Sequence, residues 1–344
     1  MNNRDRFRCV LRFEKVDRLP RFEWATWWDQ TIRRWESEGL PAARPKGEAG
    51  VVAIMEYFGL DPAWQVWFPI HKPTYPAMPH GEGPVSDMAS YEAIREHLYP
   101  EVDWDAAFPA EVRERHERGE LAVWFTLNGF FWFPRQLLGI QRHLFAFYDQ
   151  PALMHRINED LLAYNKYLLK GIAGIIEPEF MTFAEDLSYN HGPMLSRAAF
   201  NEFLAPYYRE LTPLIRAMDV IPMVDSDGNV EMCLPWFIEC GIAGLLPFER
   251  QSGVDVARVR GHHPRFAMIG AFDKMTMTQG IEAMRAEWER LLPVMRTGGF
   301  IPSVDHQTPP GVSLAQYRDY LALMWEYTER GAGYAPQVNE REFT

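Results

Sequence analysis

Short apolar runs recur along this chain, and each breaks off at a polar or acidic residue. The clearest case lies between Val220 and Glu249. The run 220–224 meets the turn Asp225-Ser226-Asp227-Gly228, apolar residues at helical spacing cover 230–240, and a second run, 242–248, stops at Glu249. That order is strand, helix, strand. The same pattern predicts eight strands, at 19–24, 66–70, 121–126, 180–184, 220–224, 242–248, 266–271 and 299–304. Between them it predicts helices that include 151–176, 196–218, 231–240, 279–296 and 313–330. Ser313 followed by Gln316 forms a capping box, and Asp149 with Pro151 reads as a helix opening. Alternating strands and helices, with near-continuous apolar strands, imply a parallel sheet buried on both faces. Eight such units in 344 residues fit an α/β fold of the (β/α)8 TIM-barrel type, with an elaborated amino-terminal region, better than an open doubly wound sheet. The second strand, flanked by prolines, reads equally as an irregular lip.

Composition adds limits. With no linker, charge block or internal repeat, one domain spanning 1–344 is the simplest organisation. A hydrophobic content of 47% with 14% aromatics excludes a disordered chain, and a net charge of −12 without a basic cluster excludes a nucleic-acid surface. No apolar run is long enough for a membrane helix, and residues 1–8 lack the apolar centre of a signal peptide. Three cysteines without Cys-x2-Cys spacing suit a reducing compartment, so the expected location is cytoplasmic. Cys233 and Cys240 read as small buried hydrophobes. No membrane partner is expected, and a second copy of the chain, as a homodimer, is a candidate one.

In a barrel of this type the residues after each strand converge on one rim. Here they are Glu185 and Asp186, Asp225 and Asp227, Glu249, Asp273, and Asp305 with His306. So many acids on one edge repel unless a cation, a bound positive group or hydrogen-bond donors offset them. For any single acid, helix capping, a salt bridge to Arg250 or Lys274, or plain exposure competes with function. Six of the twelve tryptophans precede residue 68, and Trp24, Trp27 and Trp28 follow the first expected strand, where they would wall the mouth. Asn128, Phe131, Tyr189 and Asp305 are further substrate-facing candidates. Aromatic walls over an acidic floor suit a methoxylated aromatic or a quaternary amine.

Five segments in order, RDRFRCVLRFEKVDRLPRFEW (4–24), FAEDLSYNHGPMLSRAAFNEFLAPYYREL (183–211), VDSDGNVEMCLPWFIECGIAGLLPFE (224–249), MIGAFDK (268–274) and GGFIPSVDHQTPPGVS (298–313), resemble the uroporphyrinogen decarboxylase superfamily. That superfamily includes the corrinoid-linked methyltransferases. The resemblance implies a (β/α)8 barrel with its site at the carboxyl rim. True uroporphyrinogen decarboxylases carry Arg-Gln-Ala-Gly-Arg after the first strand, where this chain has Glu23-Trp24-Ala25-Thr26-Trp27-Trp28-Asp29, and an octa-acid substrate needs those cations. The zinc methyltransferases carry His-x-Cys-Gly where this chain has Asp225-Ser226-Asp227-Gly228. The resemblance therefore points toward the methyltransferase branch, with oxygen and imidazole ligands in place of thiolates.

The expected activity is transfer of a methyl group from a small aromatic ether or methylated amine to the cobalt of a corrinoid protein, with the corrinoid supplied by that partner. The expected metal is a divalent ion, zinc first, on Asp225, Asp227, Glu249 and His306. His306, Glu185 and Asp225 are the expected catalytic residues. A metal-free acid cluster that grips a cationic substrate stays open beside the metal site. So do two other functions: decarboxylation of a small or tetrapyrrole acid, with Arg135 or Arg142 holding a carboxylate, and ligand binding without catalysis.

Overall fold

The structure is a computed structural model and describes residues 1–332. Parallel strands alternate with helices in a mixed α/β fold of the TIM-barrel type. The long strands, numbered here in chain order, are β1 (Ala63–Trp67), β2 (Ala122–Asn128), β3 (Phe180–Ala184), β4 (Ile221–Asp225), β5 (Gly244–Leu246), β6 (Ala267–Phe272) and β7 (Phe300–Val304). Within each unit the order of the strands in the sheet follows their order in the chain. The chain divides into two compact units. The first comprises Met1–Trp64, His116–Ala122 and Leu245–Thr344, and the second Gln65–Arg115 and Val123–Gly244.

In the second unit β2, β3 and β4 pair in parallel, with Trp124 opposite Phe180 and Ala184 opposite Asp225. The interior residues of β2, β3 and β4 are buried on both faces, which is why the sequence shows runs without alternation. The polar atoms admitted there are paired: Thr126 and Thr182 share a hydrogen bond of 2.9 Å. Helix Pro151–Ala173 opens on Pro151, but Asp149 ends the preceding helix and Gln150 is the cap, so the expected Asp149 opening is corrected. The single helix expected over 196–218 is two, Arg197–Phe203 and Ala205–Ala217. Pro206 has no N–H to continue the first, and Leu204 turns between them.

In the first unit β6 and β7 pair in parallel from Met268–Phe300 to Phe272–Val304. Helix Leu314–Arg330 carries the expected capping box of Ser313 and Gln316. Its inner face builds an aromatic core in which Tyr317 packs on Trp35, Phe58 and Trp27. The run 19–24, expected as a strand, is not one. Its amides go elsewhere: Leu19 N donates to the Thr328 carbonyl at 3.0 Å, Arg21 N to the Asp61 carboxylate at 2.9 Å and Trp24 N to Ser303 Oγ at 3.3 Å. Pro20 has no N–H at all.

Candidate functional site

The second unit presents an acid at the end of each of two paired strands. After β3 comes Glu185, fully buried. Its Oε1 accepts from Phe130 N at 2.7 Å, and its Oε2 accepts from Phe131 N at 2.7 Å and Trp132 N at 3.1 Å. The Tyr208 hydroxyl donates to the same carboxyl. Burial pushes Glu185 up to about 8, and the three amides draw it the other way. A Cβ on Gly129 would lie 2.2 Å from the Glu185 carboxyl carbon, so only glycine allows this approach. The residue expected as a catalytic acid thus has both oxygens occupied in holding the loop after β2.

Asp225 ends β4 with different company. The carboxylate oxygens of Asp186, Asp225 and Asp227 lie within 4.8 Å of one another, and all three residues are half-buried. Burial raises the Asp225 carboxyl well above its usual range, and the charges of Asp186 and then Asp227 raise it further. At that spacing each pair of carboxylates repels by ~3 kcal/mol at an effective dielectric constant of about 20. Local geometry forces the approach. Asp186 stands at φ 42°, a left-handed conformation that an aspartate tolerates, and its carboxylate accepts from Asp227 N at 3.3 Å. Gly228, at φ 81°, lets the hairpin of Ser188–Tyr189 and Gly192–Pro193 rest on the turn, because a Cβ there would sit 2.8 Å from Tyr189 N. Tyr189 is 51% exposed on that hairpin and stacks edge-on against His191. Asn128, half-buried, ends β2. Phe131 is fully buried against His143 and Phe147, in the core rather than on a wall.

The first unit holds the other candidates. Asp305, fully buried after β7, pairs with Lys274 Nζ at 3.0 Å and accepts Arg250 N at 3.0 Å, tying together the loops after β5 and β6. Burial raises its carboxyl while Lys274 pulls it down. His306 is half-buried and meets Trp24 edge to face, ring centres 6.0 Å apart. The Trp24 indole N–H donates to the Val304 carbonyl at 2.7 Å. Trp27, 7% exposed, belongs to the aromatic core, and Trp28, 44% exposed, caps the helix Asp29–Ser37, so of the three only Trp24 sits beside His306. Glu249, half-buried, accepts from Ser252 Oγ at 3.2 Å. Cys233 and Cys240 are buried, as small hydrophobes. Sequence reasoning passed over Glu23, buried beside Trp24; an acid inside the apolar run 19–25 was the available signal.

The pattern of the family described as Uroporphyrinogen decarboxylase (URO-D) matches residues 139–327. No curated protein matches the chain in sequence. Among solved structures the chain is similar to a methyltransferase from Methanosarcina mazei, 14% identical, over 95% of this chain and 99% of that one, with a TM-score of 0.68. A putative vitamin-B12 independent methionine synthase from Listeria monocytogenes is 10% identical over 93% of this chain and all of that one, with a TM-score of 0.48.

Proposed function

The chain belongs to the uroporphyrinogen decarboxylase family, and from that premise we propose that it transfers a methyl group from a small aromatic ether or methylated amine to the cobalt of a corrinoid carrier protein. The observation that carries this reading is the group of Asp186, Asp225 and Asp227, three carboxylates crowded within 4.8 Å at strand ends. A site for a polyanionic tetrapyrrole needs cations there; this group demands one instead. The Methanosarcina neighbour's description as a methyltransferase accords with the same reaction class.

Three oxygen donors at this spacing fit a divalent ion, and an all-oxygen set favours a hard ion over zinc. A bound ion would supply Lewis acidity toward the departing oxygen or nitrogen. The residues themselves act as follows. Asp225, Asp186 and Asp227 hold the positive charge, whether that of an ion or of a methylated ammonium. In the first unit, Trp24 offers an indole face suited to an aromatic ring or an onium group, and His306 beside it carries a ring N–H able to donate a proton. The methyl group leaves as a cation equivalent, its bonding pair stays with the leaving atom, which takes up a proton, and cobalt(I) supplies the electron pair for the new carbon–cobalt bond.

The test is to incubate the protein with a cobalt(I) corrinoid carrier and, in turn, methoxybenzoates and tetramethylammonium, following methyl-cobalt formation by absorbance. Turnover lost in Asp225→Asn is the expected result. No methylation with either donor class, together with carbon dioxide release from small aromatic acids, would replace this reading by decarboxylation.

A further inference from the structure

Glu23 is 1% exposed in the first unit and is used by nothing in the mechanism above. Its Oε2 accepts from Ser303 Oγ at 2.7 Å and from Val304 N at 3.2 Å, and its Oε1 accepts from the Tyr317 hydroxyl at 3.4 Å. The buried Tyr320 hydroxyl acts on the same carboxyl from just outside hydrogen-bond geometry. The two β7 residues that Glu23 grips are the two that hold Trp24. Ser303 Oγ accepts from Trp24 N at 3.3 Å, and the Val304 carbonyl accepts from the indole N–H at 2.7 Å. Trp24 in turn packs edge-on against His306.

We propose that Glu23 is the positioning residue for the Trp24–His306 pair, fixing the Ser303–Val304 segment on which the indole hangs. The clamp itself is independent of the proposed reaction; its effect on substrate rests on reading Trp24 as the donor-binding face. The clamp works with the neutral acid. Among the described residues Glu23 has no cation as a hydrogen-bond partner, so an ionised carboxylate would be a buried, unpaired charge that must draw in water or move. The groups that face it are Tyr317 and Tyr320 from helix Leu314–Arg330 and Ser303 and Val304 from β7, with Asp305, paired to Lys274, acting through Tyr320. Burial pushes Glu23 up to about 7, against the hydrogen bonds of Ser303, Tyr320, Val304 N and Tyr317, so the clamp loosens as pH rises through neutrality.

The experiment follows the indole N–H resonance of Trp24, identified by its loss in Trp24→Phe, in 15N-labelled protein. In the wild type its position should shift with a midpoint near pH 7, and its protection from exchange should drop at least ~10-fold on the alkaline side. In Glu23→Gln, which keeps the volume and cannot ionise, the resonance should hold its position and protection throughout. Glu23→Ala, if folded by circular dichroism, should lack that protection at every pH. With a methoxybenzoate as probe, KM should climb with pH in the wild type and stay flat in Glu23→Gln, with kcat little changed. An indole signal indifferent both to pH and to Glu23→Gln overturns the proposal. An indole signal that behaves as expected with a flat wild-type KM leaves the clamp standing and overturns Trp24 as the donor-binding face.

Discussion

Glu185 and Asp225 stand near the ends of paired strands in the second unit, and burial raises the carboxyl of each. Their surroundings differ. Glu185 receives three backbone amides and a phenol, whereas among the described residues no donor reaches the Asp225 carboxylate, whose nearest charged neighbours are two more acids. Burial alone therefore does not mark a reactive acid. What separates the two is the supply of donors: one carboxyl completes the fold, and the other leaves an unmet demand for positive charge.

The largest effect expected is on the satisfied side. Glu185→Ala leaves three amides and a hydroxyl without their acceptor and should destabilise the protein by about 3–5 kcal/mol in urea denaturation. Asp225→Ala, by contrast, should cost less than about 1 kcal/mol, and equal costs would break the contrast. Next comes the acid cluster: Asp225→Asn should cut methyl transfer by about 100-fold or more while raising stability by ~1 kcal/mol at neutral pH, because a like charge is removed. Measured kcat and denaturation midpoints check both halves.

The smallest effect is a pH dependence. Since Asp225 has a folded pKa above its ordinary 3.8, the unfolded chain gives up this proton first, and stability falls as pH rises from about 4 toward the folded value. In the absence of divalent ions the melting temperature of the wild type should drift down by a few degrees over that window relative to Asp225→Asn. Manganese or zinc should restore it in the wild type alone.

Much of this was legible in the chain. The apolar runs located seven of the strands, and the acids at their ends fell where β3 and β4 place them. What escaped depended on partners distant in sequence. The run 19–24 has strand composition, but its amides are taken by Asp61, Ser303 and Thr328, which no local pattern displays. Trp27 looked like a wall because it neighbours Trp24, and the core of Trp35, Phe58 and Tyr317 that absorbs it is assembled from three separate segments. Glu185 and Asp186 are adjacent and equally acidic in sequence. The loop at 129–132, distant in sequence, singles out Glu185 by donating three backbone amides to it.

The grip of Glu185 on that loop also bears on how such a protein can be remodelled. The backbone amides of Phe130, Phe131 and Trp132 are addressed by a side chain more than fifty positions downstream, and Gly129 leaves no room for adjustment. Lengthening or exchanging the loop after β2 by itself would leave Glu185 aimed at the wrong atoms. The two segments form one inheritable module, and a recombination library should carry crossovers before residue 129 or after residue 186, not between them.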